Sequence, residues 1–281
     1  MGANQVTRRV LLTAGGLTLL GIYASEPAQD GTAARTPGAQ PAGARTTRGV
    51  LTTGDRPVAS TPARHPRTPA AGRPQLAVAR PGRRGTDRAP LFSIDDGPKA
   101  IALTIDDGPS PVYTPQVLRL LARYRITATF SMIGIQAQAY PAMAREVAAA
   151  GHLIANHTWT HLNLQLLPPA LVTEQITRAA DAIHTAAGRV PDLFRAPYGA
   201  WSPFVLTQCA KAGMTPLGWS VDPRDWSRPG VPSIVANIMR NTHTGSIILE
   251  HDGGGNRSQT VAALKIVIPR LLAAGYHFRT P

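Results

Sequence analysis

Thr104-Ile105-Asp106-Asp107-Gly108-Pro109 is the stretch on which the reading of the chain turns. The apolar run Ala100–Ile105 leads into it. Tyr113–Tyr124 follows, with Val117, Leu118, Leu120 and Leu121 on one helical face. A strand, two adjacent carboxylates, a Gly-Pro break and a helix predict a βα junction with acids at the strand's C-terminal end. In α/β barrels and open parallel sheets, chemistry collects at that end. Successive strand residues point to opposite faces, so Asp106 and Asp107 are expected to do different jobs unless the strand has already broken there.

The same letters also suit a tight turn. Ile94-Asp95-Asp96-Gly97-Pro98 repeats the pattern eleven residues earlier, but Lys99 and the next strand follow it with no helix between. That copy reads as a hairpin or loop turn. Only the later copy has the strand–acid–helix context.

Downstream, strands and helices alternate. Strands are expected at 128–133, 153–156, 193–195, 215–220, 246–250 and 276–279. Helices are expected at 141–150, 169–187, 202–212, 233–240 and 261–274. Six or more βα repeats predict a parallel α/β sheet, closed as a barrel or open.

Composition divides the 281 residues. Residues 25–90 are almost entirely Ala, Pro, Gly, Thr and Arg, too poor in apolar groups to offset the entropy of ordering, and read as a disordered linker. Residues 91–281 suffice for one core. Ahead of the linker, Thr7-Arg8-Arg9-Val10-Leu11-Leu12 opens a mildly apolar run ending near Tyr23. Residues 1–24 therefore resemble a twin-arginine export signal, with a Sec signal or a short membrane anchor as alternatives. Residues 1–90 carry 13 Lys+Arg against 4 Asp+Glu, giving +9, while residues 91–281 carry 16 against 12, giving +4. The excess positive charge thus belongs mainly to the tail, which would suit an anionic cell wall or membrane surface. No nucleic-acid motif and no basic–aromatic interleaving accompanies it, so no nucleic-acid partner is expected. Cys209, the only cysteine, excludes an internal disulfide and reads as core filling. Without sustained heptads or a spare apolar stripe, a monomer is expected.

Polar clusters then recur at the expected strand ends. His157-Thr158-Trp159-Thr160-His161 follows the strand ending at Asn156, and its two histidines share one face if the segment is helical. With a carboxylate from another strand end they would make a two-His, one-carboxylate metal site with open positions. Phe194-Arg195-Ala196-Pro197-Tyr198-Gly199 offers an arginine to hold a carboxylate ionised, and a turn able to present a backbone N–H to an oxyanion. Ser220-Val221-Asp222-Pro223-Arg224-Asp225-Trp226 adds acids and an aromatic. Leu249-Glu250-His251-Asp252-Gly253-Gly254 ends the strand from Ser246 with a histidine.

Taken in order, these clusters resemble the five motifs of the polysaccharide deacetylases, the NodB-homology domain of carbohydrate esterase family 4. TIDDGP resembles the first motif, usually TFDDGP; HTWTH, RAPYG, DPRDW and LEH with its DGGG resemble the other four. The resemblance spans Ala100–Arg279 and implies a distorted (β/α) barrel of about seven parallel strands over residues 91–281. It also implies roles. Asp107, His157 and His161 would hold a divalent metal, normally zinc, with cobalt or another divalent ion as alternatives. Asp106 would be the general base, held as a carboxylate by Arg195. His251 would be the general acid, oriented by Asp225, with Asp222 the competing partner. Pro197 and Tyr198 would form the oxyanion turn, and Trp226 and Leu249 would line the acetyl pocket. The implied activity is removal of N-acetyl groups from N-acetylglucosamine units in peptidoglycan or chitin-like glycans. An acetylxylan O-acetyl esterase with the same site is the nearest alternative. A non-catalytic cell-wall-binding protein is the alternative from another class.

Overall fold

The computed structural model describes residues 89–281. The export segment expected at 1–24 and all of the expected linker except residues 89 and 90 lie outside the described residues.

The first strand, β1 (Ala100–Asp106), is buried at every position, as a continuous apolar run in a parallel sheet covered on both faces should be. The helix α1 (Thr114–Tyr124) starts with Pro115 in its first turn and ends at Arg125 in the left-handed region. Then follow β2 (Thr129–Met132), α2 (Gly134–Ala139), α3 (Pro141–Ala149) and β3 (Leu153–Asn156). The long α4 (Pro169–Ala187) is opened by proline and closed by Gly188 at φ 69°, the asymmetry those residues favour. The chain continues through β4 (Leu193–Phe194), α5 (Pro203–Lys211), β5 (Thr215–Pro216), α6 (Val231–Asn241), β6 (Ile247–His251), α7 (Ser258–Ala273) and β7 (His277–Arg279). No helix among the described residues is long and apolar enough to cross a membrane.

All seven strands are parallel, in the order β5-β4-β3-β2-β1-β6, with β7 also pairing to β1. Beyond β5 the chain reaches β6, where Val221 and Ile248 form a single parallel bridge. The sheet therefore curls into a barrel whose last seam is one bridge rather than a ladder, as the distorted (β/α) barrel required. The main core lies between sheet and helices, built from Ile101, Leu103, Ile105, Phe130, Ile248 and Leu264 among others. A smaller cluster of Ala102, Ala155, Leu193, Leu217 and Ile247 fills the sheet's inner face.

Three departures from the sequence-based expectations matter. The strand expected over 215–220 stops at Pro216. Its continuation leaves the β4 ladder and instead bonds to Ile247 and Leu249 of β6. An extra helix, α2, precedes α3 and packs on α4, with Gly134 so close to Ala179 and Trp159 that a Cβ there would collide. The segment 157–161 is a loop, not a helix. The early Asp-Asp-Gly copy is an exposed turn whose Asp96 pairs with Arg279 at 2.9 Å. Cys209 is fully buried, and burial pushes its thiol up to about 12.

Candidate active site

The site begins where β1 stops being a strand. Asp106 is its last residue, and Asp107 has φ 72°, a left-handed conformation that Asp tolerates better than most side chains. That single kink defeats the strand alternation, so both carboxylates turn toward the same point. Space is made for it from the fifth cluster. A Cβ on Gly253 would collide with the Asp107 carbonyl, and one on Gly254 (φ 70°) would lie 2.7 Å from Asp107 Oδ2.

Asp106 is held by Arg195, which is completely buried at the end of β4. The guanidinium donates to Asp106 Oδ1 at 2.8 Å, to Thr104 Oγ1 at 2.7 Å, and to the carbonyls of Leu217 (3.3 Å) and Gly218 (2.7 Å). Burial pulls the pKa of Arg195 down while Asp106 raises it. A buried cation costs dearly unless paired and hydrogen-bonded; here it is both. Thr104 lies two residues before Asp106, on the same strand face. Sequence reasoning missed it, although that spacing is visible in the chain.

The two histidines meet through loop geometry. Thr158 (φ 68°) and His161 (φ 60°) are left-handed. The loop is pinned by Thr158 N–H to Asn156 Oδ1 (2.9 Å), His161 N–H to Thr158 Oγ1 (3.0 Å) and Thr160 N–H to Gln175 Oε1 (3.0 Å). The rings of His157 and His161 end 4.8 Å apart. His157 Nδ1 lies 2.7 Å from the Arg195 carbonyl. A carbonyl can only accept, so Nδ1 carries the proton and Nε2 offers its lone pair to the site. That Nε2 is 3.5 Å from Asp107 Oδ1 and 3.8 Å from Asp106 Oδ2, and His161 Nε2 is 3.3 Å from Asp107 Oδ1. Burial first, then repulsion from His157, lowers His161 to about 4. Burial opposes ionisation of Asp107, yet the surrounding imidazoles of His157, His251 and His161 hold it far below the usual carboxylate range.

One ligand atom from each of Asp107, His157 and His161 falls within 4.8 Å of the others. Asp107 Oδ1 is buried with no hydrogen-bond partner among the described residues. An orphaned carboxylate oxygen facing a neutral imidazole and a fixed imidazole lone pair is a donor set that suits a divalent cation. The residues present fit such an ion.

Across from Arg195, His251 closes β6 opposite Asp106 in register. Its Nδ1 lies 2.7 Å from Asp225 Oδ1, and its backbone N–H donates to Asp225 Oδ2 at 2.9 Å. Thr260 Oγ1 also donates to Asp225 Oδ2, at 2.7 Å. Burial would lower the imidazole, but the Asp225 hydrogen bond and charge, with Asp107 and Asp106 adding to them, raise it to about 9. Asp225 is itself held low, burial being outweighed by His251. The rival Asp222 instead accepts Arg224 N–H at 2.8 Å in a local turn.

Pro197 is buried, while Tyr198 is exposed at φ 59° with its ring 4.8 Å from that of His161. Leu249 is buried and shares the inner face with His251, and the half-exposed Trp226 forms the rim. Arg257 ties these loops together. It donates to the carbonyls of Gly253 (2.6 Å), Gly254 (3.0 Å) and Trp226 (3.2 Å), and lies 3.9 Å from Asp107 Oδ2. Nothing in its sequence context marks it. Asp252 is equally unmarked: fully buried and bonded to Thr114 Oγ1 at 2.5 Å, it is pushed up to about 7, burial being the largest cause.

A family profile described as polysaccharide deacetylase matches residues 93–217. Over 209 residues the chain is 41% identical to a chitooligosaccharide deacetylase of Bradyrhizobium sp. (strain ANU 289), an alignment covering 68% of this chain and 95% of that protein. It is 42% identical over 191 residues to a peptidoglycan-N-acetylglucosamine deacetylase of Bacillus cereus, covering 67% and 89% respectively. Among solved structures, the Bc1960 peptidoglycan N-acetylglucosamine deacetylase superposes with a TM-score of 0.65 at 33% identity, over 67% of this chain and 89% of that one. A pseudoenzyme of carbohydrate esterase family 4 from Bacillus anthracis superposes almost as well, at 0.64 and 27% identity over 68% and 67%. The shared barrel is therefore common to active and inactive proteins, and the side chains at its rim must carry any chemistry.

Proposed function

The chain belongs to the polysaccharide deacetylase family, carbohydrate esterase family 4, and from that premise we propose that it is an exported, metal-dependent hydrolase. Its proposed substrates are N-acetylglucosamine units of peptidoglycan or chitin-like glycans, from which it removes the acetyl group. One observation carries this reading. A cation-ready trio, Asp107, His157 and His161, lies between two ion pairs, Asp106 with Arg195 and His251 with Asp225.

Amide hydrolysis needs a base to activate water and a separate acid to protonate the departing amine. Asp106, ion-paired to the Arg195 guanidinium, takes the proton of the attacking water. The chemistry supplied by a divalent cation bound at Asp107, His157 and His161, zinc foremost, is polarisation of the acetyl carbonyl and acidification of water. The Tyr198 backbone N–H, in its left-handed turn, faces the oxyanion. His251, charged through neutral pH, gives its Nε2 proton to the amine nitrogen as the C–N bond breaks, releasing acetate and the free amine. Asp225 holds the imidazole at Nδ1 throughout. Trp226 and Leu249 enclose the acetyl methyl. A base and an acid each held by a partner of opposite charge are the expected pattern for such a pair.

Support for export is the arginine pair and apolar run of residues 8–23, and the basic tail gives the protein a means of staying at an anionic wall. The deciding experiment measures acetate release from chitooligosaccharides, peptidoglycan and acetylxylan, with zinc, after chelation, and with the Asp106→Asn protein. The reading expects zinc-restorable release from the first two, lost in Asp106→Asn. Release from acetylxylan alone, or activity indifferent to chelation, refutes it.

A further inference from the structure

The last torsion of an aspartate is broad, so its two carboxyl oxygens exchange places easily unless something outside the residue holds one of them. In Asp107 they are sorted. Oδ1 lies 3.3 Å from His161 Nε2 and 3.5 Å from His157 Nε2, with no hydrogen-bond partner among the described residues. Oδ2 lies 3.9 Å from Arg257 Nη2. Gly254 stands at that gap. A Cβ there would be 2.7 Å from Oδ2 and 3.1 Å from Nη2, so the missing side chain is what leaves the two charges open to each other. Arg257 is buried, directly ahead of α7, and is not free to swing. Nε donates to the Gly253 carbonyl at 2.6 Å, Nη2 to that of Gly254 at 3.0 Å and Nη1 to that of Trp226 at 3.2 Å. Three bonds from three nitrogens of one planar group fix both its position and its plane. A buried guanidinium also needs an anion. Among the described residues, the one ion pair it forms is with Asp107.

We infer that Arg257 is a positioning residue for the cation site: anchored on three carbonyls, it holds Asp107 by Oδ2, keeps Oδ1 presented to the two imidazoles, and ties that setting to the Trp226 rim. This role rests on the reading of Asp107, His157 and His161 as the place where a divalent cation binds. Two effects of the guanidinium on such a cation oppose each other. Its charge repels the ion, whereas its grip on Asp107 removes the cost of orienting the carboxylate. The charge of Asp107 itself cancels most of the repulsion. Groups that orient a metal ligand in this way are typically worth about 10–100-fold in metal affinity. The grip therefore prevails, and loss of Arg257 weakens binding. Were repulsion the larger effect, loss of the charge would tighten it. The two possibilities differ in sign.

The test uses the full chain as wild type, Arg257→Gln and Arg257→Lys, stripped of metal and titrated with zinc by calorimetry well below the melting temperature of each. Gln removes the charge, and Lys keeps it as a single point without the fork. The zinc dissociation constant should rise roughly tenfold or more in both. A smaller rise in either, or tighter binding in Arg257→Gln, overturns the inference; a merely structural Arg257 would lower the melting temperature and leave the dissociation constant of the folded protein alone. A second readout needs no metal. In the stripped protein, Arg257→Gln should lower the melting temperature less on an Asp107→Asn background than on wild type, because the ion pair is already broken there. Additive losses overturn the inference as well. With zinc saturating, KM for an acetylated chitooligosaccharide should rise more than kcat falls, as the rim loses its anchor at the Trp226 carbonyl; an unmoved KM refutes the link to the rim. Wild-type protein that bound no zinc would sink the cation-site reading and leave the thermal coupling to be judged by itself. Zinc bound equally well by all three proteins would sink the role of Arg257 alone.

Discussion

Replacing Asp225 by Asn keeps the shape of the His251 support and removes its charge. In the wild type, burial alone would lower His251, and Asp225 is the main reason its pKa is instead raised from 6.5 to about 9. In Asp225→Asn the burial effect is left unopposed by its strongest partner, so the imidazole should titrate at or below its ordinary value. The difference, about 2.5 units, corresponds to about 3.4 kcal/mol at 1.36 kcal/mol per unit. At pH 8 the imidazolium fraction would fall from about nine-tenths to about three-hundredths, roughly a 30-fold loss of acid-competent enzyme. Stability must change as well. A group whose folded pKa is raised stabilises fully below its unfolded value and loses that stabilisation as pH rises through the folded one. Wild-type protein should therefore lose about 3 kcal/mol between pH 6.5 and 9 from this pair, and Asp225→Asn should lose almost none over that window. The assays are the pH dependence of kcat/KM on an acetylated chitooligosaccharide, and denaturant unfolding at pH 6.5, 8 and 9.5. If Asp225→Asn kept its alkaline limb within half a unit of wild type, Asp225 would not be what keeps His251 charged, and the reasoning would fail.

Other perturbations should be equally decisive. Arg195→Met strands Asp106 and three further acceptors in the core, and should cost about 3–5 kcal/mol, read as a fall in melting temperature of roughly 10 °C for a domain of this size; Arg195→Lys, lacking the fork, should not rescue it. Zinc at about a hundredfold excess over its dissociation constant should add about 2.7 kcal/mol to the metal-free protein, and His161→Ala should abolish that gain in a thermal melt. In the metal-free protein, His161 is lowered to about 4, so the unfolded chain binds the extra proton between about pH 6.5 and 4. Stability should fall with acidification across that window and less so in His161→Ala. Gly254→Ala should weaken zinc binding at least tenfold, because the added Cβ meets Asp107 Oδ2 at 2.7 Å in a left-handed backbone; calorimetry would check this.

Much of the site was legible because strand ends announce themselves. The run Ala100–Ile105 could only be a buried strand, and the acids after it fell where a parallel sheet puts its chemistry. Asp106, Arg195 and His251 each follow from that rule, and the structure brings them to one rim. What stayed hidden is instructive. Whether Asp107 faced its neighbour or joined it depended on one φ angle, which no side-chain period encodes. The His157–His161 spacing suited a helix, but side-chain bonds from Asn156, Thr158 and Gln175 hold it as a loop and bring the rings together another way. The two-residue strands β4 and β5 are too short to show a period. Asp252 and Arg257 owe their significance to burial and to partners far along the chain, which local pattern does not report.

The bent residue at position 107 makes two demands that few amino acids meet together. It must supply an anionic oxygen, and its backbone must rest at φ 72°. Glutamate satisfies the first and resists the second, while asparagine accepts the bend but brings no charge. Evolutionary drift at this site is thus confined from two directions at once. A descendant that gave up the chemistry while keeping the barrel would find asparagine the least disruptive exit.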